Sequence, residues 1–312
     1  MLMSDRIGRR LKLQDLNVFM AVVQAGSMRK AAERLNTVQP VISRSIGELE
    51  HTFGVRLLDR HRQGIEPTEY GRALLACGLA VFDDLRQGVK TIESLVDPTV
   101  GEVRIGCNAT LAASFVSAIV DRLSRRYPRI VFRIVTAYVE TLHRELTERN
   151  VDLLIARGSV ADERLEYISL FGDSFSFVVG ARNPLARRRR IELAELTNEP
   201  WVLPSPPDRV IESVAKEAFR ASGLDYPRST VFTASPDVRM ELLATGRFIS
   251  IIPDCILKFS TRGPELKALP VKQSLRGVPV GIVTLKNRTL SPVAQLFIDS
   301  AREVAKSLAK TR

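Results

Sequence analysis

Apolar residues at Leu13, Leu16, Phe19, Met20 and Val23 recur three and four apart, which predicts an amphipathic helix near the start of the chain. Gly26 can take the left-handed conformation that ends such a helix. Ser27 suits the cap of a short second helix turning Ala31, Ala32 and Leu35 inward, and the two alanines permit close helix approach. Asn36 and Thr37 make a tight turn. Pro40 then falls in the first turn of a third helix, where proline is tolerated, with Val41, Ile42, Ile46 and Leu49 expected to be buried and Gly54 as its stop. A short turn between the second and third helices lets the third project into a DNA major groove. Beyond Gly54, Val55, Leu57 and Leu58 read as a strand. Asp59, Arg60, His61, Arg62, Gln63 and Gly64 form a polar tip, and Ile65 with Pro67 the return of a two-stranded wing.

A different period begins at Thr68, which can cap a helix. Leu74, Cys77 or Gly78, Val81, Leu85, Val89, Ile92 and Leu95 or Val96 alternate three and four apart as far as Asp97-Pro98. This is the spacing of a coiled-coil seam, although Gly78 and Gly88 lower its intrinsic helicity.

From Thr99 the pattern changes to short apolar strands alternating with helical stretches. The strands are EVRIGCN, RIVFRIVTA, VDLLIARG, FSFVVG, WVLP, STVFTAS, FISIIP and VPVGIVTL. Helical spacing falls at 111–126, 139–149, 211–222, 237–245 and from Ser291 onward. Such alternation predicts an α/β domain with a parallel sheet and right-handed crossovers. Ligands of open sheets lie beyond the carboxyl ends of the strands, against helix N-termini whose free N–H groups face the pocket. Those ends are Asn108, Ala109 and Thr110; Thr136, Ala137 and Tyr138; Arg157; Pro204 and Ser205; and Ser235 with Pro236. Thr110 and Ser235 can equally be plain helix caps, and Arg157 can pair with a neighbouring carboxylate instead of a ligand.

With 312 residues, the chain is long enough for at least two domains. Its 45% hydrophobic and 26% charged residues are ordinary for a soluble protein, and no apolar run reaches membrane-spanning length. MLMSDRIGRRLK carries charge with no apolar run behind it, so a cytoplasmic location is expected. The net charge is +11, of which residues 1–65, with 11 basic and 6 acidic side chains, hold +5. The remainder is not credited to DNA, and the run Arg187–Arg190 is read as a solvated face. Cys77, Cys107 and Cys255 are odd in number and lack metal-ligand spacing, which fits buried free thiols; redox sensing by one of them is the sharper alternative. No nucleophile elbow, phosphate loop, dinucleotide motif or metal motif is present, and His51, His61 and His143 form no acid-base set. Neither enzyme, cofactor nor metal is expected.

GSMRKAAERL, QPVISRSIGELE and FGVRLLDR, in that order and without a gap, closely resemble the N-terminal segment of LysR-type transcriptional regulators. Gln and Arg make paired hydrogen bonds to base edges, so Gln39, Ser43 and above all Arg44 are the candidates for direct readout. Arg60 and Arg62 at the wing would meet phosphates. Ser27, Arg29, Thr37 and Pro40 complete the candidate DNA-facing set. Two positions depart from the family pattern. Val38 stands where Ser or Thr commonly precedes the Gln-Pro pair, and Leu57-Leu58 replaces Leu-Phe. The resemblance implies a winged helix-turn-helix over 1–67, a linker helix over 68–98 through which chains dimerise, and an effector-binding domain over 99–312 resembling periplasmic type 2 binding proteins. Lobe one would comprise 99–177 and 287–312, and lobe two 178–286. It further implies double-stranded promoter DNA, a small-molecule effector, a homodimer or homotetramer, and RNA polymerase as partners. The cleft residues favour a carboxylate or another oxygen-rich effector. The competing reading is a two-lobed small-molecule binding protein without promoter-specific regulation.

Overall fold

The computed structural model describes residues 11–61, 64–97, 99–158, 162–205, 209–273 and 275–309. Contacts divide the chain into two units, Met1–Gly88 and Val89–Arg312. Arg62 and Gln63 of the expected wing tip, and Pro98, lie outside the described residues.

In the first unit, helices α1 (Leu13–Ala25), α2 (Met28–Arg34) and α3 (Gln39–Phe53) close on Leu16, Phe19, Val22, Ala31, Ala32, Ile42, Ile46 and Leu49. Gly26 ends α1 at φ +64°, its N–H donating to the Val22 carbonyl at 2.9 Å. A polar staple crosses this apolar core: the Ser45 hydroxyl donates to the Asp15 carboxylate at 2.6 Å, and both side chains are buried. The wing consists of β1 (Leu58–His61) and β2 (Gly64–Pro67), antiparallel. Glu50 on α3 fixes its entry by accepting the N–H groups of Leu57 and Leu58 at 2.8 and 3.3 Å. The Ile65 N–H donates to the Gly26 carbonyl at 3.0 Å, tying the return strand to the turn between α1 and α2.

Helix α4 (Glu69–Val96) begins where Thr68 accepts the Gly71 N–H at 3.0 Å, the cap its residue type predicts. Gly71 is required there, because a Cβ would lie 2.1 Å from the Leu57 carbonyl oxygen. Two expectations for the seam change. Leu74 is buried in the helix-turn-helix core, and a Cβ on Gly78 would meet the Met20 sulfur at 2.9 Å. The first turns of α4 therefore pack on their own unit, and Gly78 permits the close approach. Leu85, Val89, Ile92, Leu95 and Val96 remain exposed.

In the second unit the sheet order is β4-β3-β5-β11-β6-β9-β7-β8, with β10 (Leu266–Ala268) on β6. Strands β3 (Val100–Cys107), β4 (Arg129–Thr136) and β5 (Leu153–Arg157) are parallel and form lobe one with α5 (109–126), α6 (Val139–Thr147) and α10 (Pro292–Ala309). Strands β7 (Trp201–Pro204), β8 (Ser229–Thr233) and β9 (Ile249–Pro253) form lobe two with α7 (Arg209–Ala221) and α8 (Pro236–Ala244). Two long antiparallel strands, β6 (Leu165–Gly180) and β11 (Leu275–Leu285), run through both lobes. Val280–Val283 of β11 already pair with β5, so the chain is back in lobe one at the register shift between Leu275 and Val278, not at 286. Outward crossing falls near Gly172–Phe175 of β6, where pairing with β11 gives way to pairing with β9.

Lobe one is closed by Val293, Ala294, Phe297 and Ile298 of α10 against Ile105, Leu111 and Phe115. Lobe two centres on Trp201, edge-on to Phe177 and Phe219 at 6.1 Å, with its indole N–H donating to the Leu196 carbonyl at 2.8 Å. Short α9 (Asp254–Phe259) follows β9 and packs on the Ala112–Val116 stretch of α5, which is π-helical. Phe115 from that stretch meets Phe171 of β6 at 4.9 Å and Phe259 at 5.9 Å.

Candidate DNA-reading face and effector cleft

Helix α3 buries Ile42, Ser45, Ile46 and Leu49 and leaves Gln39, Pro40, Arg44 and Gly47 exposed, with Ser43 half-buried. Arg44 pairs with Glu48 at 3.0 Å and Arg29 with Glu33 at 2.7 Å, both exposed pairs one turn apart. Such pairs are worth about 0.3–0.5 kcal/mol, little enough to be surrendered to a base or phosphate. Thr37 is half-buried in the turn, its N–H donating to the Ala32 carbonyl at 2.9 Å, and Asn36 takes a positive φ of 50° there. Arg60 is exposed on β1; Arg62 lies outside the described residues.

Two local expectations are corrected here, at Ser27 and Val41, and the departure at Val38 falls between them. Ser27 occupies the N-cap position of α2 but makes no side-chain cap bond, so the helix start rests on backbone geometry. Val38, at the N-cap of α3, has no side-chain oxygen with which to cap. Val41 is 48% exposed, because the buried stripe runs through Ile42 and Ser45 and turns Val41 to the flank carrying Arg44 and Glu48.

In the second unit the strand-end residues fall into two bonded groups. In lobe one, Asn108 caps α5, its side-chain oxygen accepting the Leu111 N–H and the Thr110 hydroxyl, each at 2.9 Å. The Thr110 oxygen accepts from Arg157 Nη1 at 2.9 Å, and the same nitrogen lies 3.4 Å from the Asn108 side-chain oxygen. Arg157, the last residue of β5, is only 4% exposed and sends Nε and Nη2 to one oxygen of Asp173 at 3.1 and 2.9 Å; Asp173 is 2% exposed. The other Asp173 oxygen accepts the Cys255 N–H at 3.0 Å. Cys255 Sγ lies 3.2 Å from Arg157 Nη2 and 3.3 Å from the Ser114 hydroxyl. Elements on both sides of the lobe crossing thus converge on one buried ion pair.

Thr136, the last residue of β4, is exposed and Ala137 just beyond it is half-buried, with the Ala137 N–H 3.4 Å from the Cys107 carbonyl. In lobe two, Thr233 is the organising residue. Its carbonyl accepts the Ser205 N–H at 2.9 Å and its hydroxyl accepts the Ser235 N–H at 3.1 Å. Ser235 caps α8 through Val238 at 3.3 Å, and Pro236 occupies the first helical turn. Pro204 and Ser205 are half-buried.

Sequence reasoning missed Asp173, Ser114, Cys255 and Thr233 as parts of this site. Asp173 carried a usable signal, a lone carboxylate between LFG and SFSFVV in an apolar strand. Such a group needs a buried cation, and Arg157 was already a candidate.

A second buried ion cluster sits at the other end of β5. Asp152, 1% exposed, accepts from Arg104 and Arg288, each at 3.0 Å, and lies 3.8 Å from Lys90 Nζ on α4. Of the three thiols, Cys107 and Cys255 are buried as expected, but Cys77 is exposed. Burial pushes both Cys107 and Cys255 up to about 12 against the opposing charge of Arg157, so neither is a thiolate at neutral pH. Cys77 lines an apolar groove of about 460 Å³ in the first unit with Leu13, Phe53, Tyr70 and Val81. No helix among the described residues is long and apolar enough to cross a membrane.

Residues 13–72 match the family model of the bacterial regulatory helix-turn-helix proteins, lysR family, and residues 97–306 that of the LysR substrate binding domain. The HTH-type transcriptional regulator GbpR of Azospirillum brasilense is 26% identical over 94% of this chain and 86% of its own length. The Escherichia coli (strain K12) uncharacterized HTH-type transcriptional regulator YdcI is 27% identical over 96% and 98%. Among solved structures, a full-length single-residue variant of OxyR from Pseudomonas aeruginosa superposes with a TM-score of 0.66 at 18% identity, covering 95% of this chain and 97% of that one. Full-length CbnR complexed with its target DNA gives 0.53 at 22% identity, covering 95% and 100%. At these identities the structural likeness speaks for the fold.

Proposed function

The chain belongs to the LysR family of transcriptional regulators, with a helix-turn-helix DNA-binding domain and an effector-binding domain, and from that premise we propose which residues read the operator and how the cleft controls them. The carrying observation is α3, which buries one face completely and leaves Gln39 and Arg44 bare on the other. Arg44, with Gln39 and Ser43, addresses base edges, while Arg29, Arg60 and Arg62 hold phosphates. Ser27, Thr37 and Pro40 frame the helix entry. The protein works in the cytoplasm as a homodimer or homotetramer whose recognition helices share the two-fold symmetry of the site. RNA polymerase is the partner that senses the resulting promoter geometry.

The effector occupies the space between Asn108–Thr110, Thr136–Ala137 and Arg157 on one lobe and Pro204–Ser205 and Ser235–Pro236 on the other. A carboxylate or another oxygen-rich molecule suits it, but Arg157 is not an open cation, since Asp173 already holds its fork. An incoming carboxylate competes with Asp173 for that fork, which converts binding into strain between β5 and β6. Arg157→Ala would also leave Asp173 buried without its partner, at a cost of about 3–5 kcal/mol, so it does not isolate the binding role. Thr110→Val is the cleaner substitution. Calorimetric titration with a panel of mono- and dicarboxylate metabolites should show heat of binding for the parent and its loss for Thr110→Val, with operator affinity unchanged. Full effector affinity in that variant would remove Thr110 from the site.

A further inference from the structure

We propose that Val41 reads a thymine, its methyl groups meeting the 5-methyl of that base in the major groove one base step from the pair addressed by Arg44. The inference rests on α3 being the reading helix. Val41 and Val38 are 48% and 61% exposed, and they are the large aliphatic side chains that α3 and its N-cap leave uncovered. A lone exposed valine is ordinary on a protein surface. This one differs by its placement, on the helix flank that also carries Arg44 and just beyond Gln39 and Pro40.

Two arguments give that placement a specific occupant. Three residues of α-helix advance about 4.5 Å along the axis, against about 3.4 Å per base along one strand, so side chains at 41 and 44 address neighbouring base pairs. In the major groove the apolar feature offered by the bases is the thymine methyl, and an aliphatic side chain is the complement to it. Valine is also stiff about χ1, so little rotamer freedom is lost when it docks. Two turns beyond Pro40 and one beyond Ser43, Gly47 is exposed and a Cβ there would touch nothing within 4 Å. The helix is therefore slim beside Arg44, which lets its N-terminal half enter the groove deeply enough for the short side chain of Val41 to reach a base.

The test uses the full-length chain to select duplexes from random sequence, and then replaces each thymine of the selected half-site by uracil, which removes only the 5-methyl. The parent protein should lose affinity at one position per half-site by about fourfold, the worth of one buried methyl. Val41→Ala should bind the thymine and uracil duplexes equally at that position, whereas Arg44→Ala should keep the thymine preference while losing discrimination at the adjacent pair. A uracil scan that is flat for the parent overturns the inference alone. So does a sensitive position that survives Val41→Ala or disappears only in Val38→Ala. If no sequence is enriched, the assignment of α3 as the reading helix fails and this inference falls with it.

Discussion

Cys107 and Cys255 are held neutral by burial, which links their protonation to stability. Their folded-state pKa of about 12 lies above the ordinary 9.0, so the stabilising contribution is fully present below pH 9. It is lost as pH rises from 9 toward 12, where the unfolded chain releases thiol protons that the folded one retains. Chemical unfolding at successive pH values above 9 should therefore show falling stability, with a shallower fall in the Cys107→Ala/Cys255→Ala double variant. Tyr167 and Tyr226 are shifted upward by burial in the same direction, so the comparison with that variant isolates the thiols. Equal slopes would contradict the assignment. At this scale the sequence was only partly legible. Gly26 and Thr68 announced their roles through residue type, because a left-handed stop and a helix cap are local properties. Arg157 was found by its strand end, but its partner Asp173 lies 16 positions away and is brought there by the β6–β11 crossing. The exposure of Val41 was not legible, because helical spacing alone does not say which edge of an apolar stripe meets the core.

At the scale of elements, β5 stands out as a short strand pinned by buried ion pairs at both ends, Asp152 with Arg104 and Arg288, and Arg157 with Asp173. Lys90 extends the Asp152 cluster to the last turns of α4. Helix α4 itself divides by burial. Leu74 and Gly78 serve the helix-turn-helix core, while Leu85, Val89, Ile92 and Val96 form an exposed apolar stripe at alternating spacings of four and three. The periodicity was readable, but packing decided which of its residues are spare. Because Leu85 is 48% exposed in the single chain, Leu85→Asp should leave the fold intact and abolish self-association, since docking would bury an unpaired charge. Sedimentation velocity checks this. An unchanged assembly would place the interface elsewhere. Strand β6 shows the opposite lesson about periodicity. FSFVVG carries a strand pattern of its own, whereas the apolar residues of 165–171 are interrupted by Glu166 and Ser169 and followed by Gly172, so that only the pairing with β11 shows them to belong to the same strand.

At the scale of the whole molecule, the order of winged helix-turn-helix, long helix and two-lobed α/β domain was written in changes of hydrophobic period. It was legible because each period is set locally by 3.6-residue or two-residue repeats. The cleft was less so, since its residues come from several strand ends and acquire a common chemistry only through the sheet order. The central claim is that the first unit reads DNA sequence through Arg44. The most direct measurement titrates the full-length protein and Arg44→Ala against a selected duplex and a scrambled one of equal length at several salt concentrations. The parent should prefer the selected duplex by about a thousandfold or more near physiological salt. Arg44→Ala should lose about 1–3 kcal/mol on that duplex and far less on the scrambled one. Equal affinity of the parent for both duplexes, or an equal loss on both for Arg44→Ala, would contradict the account.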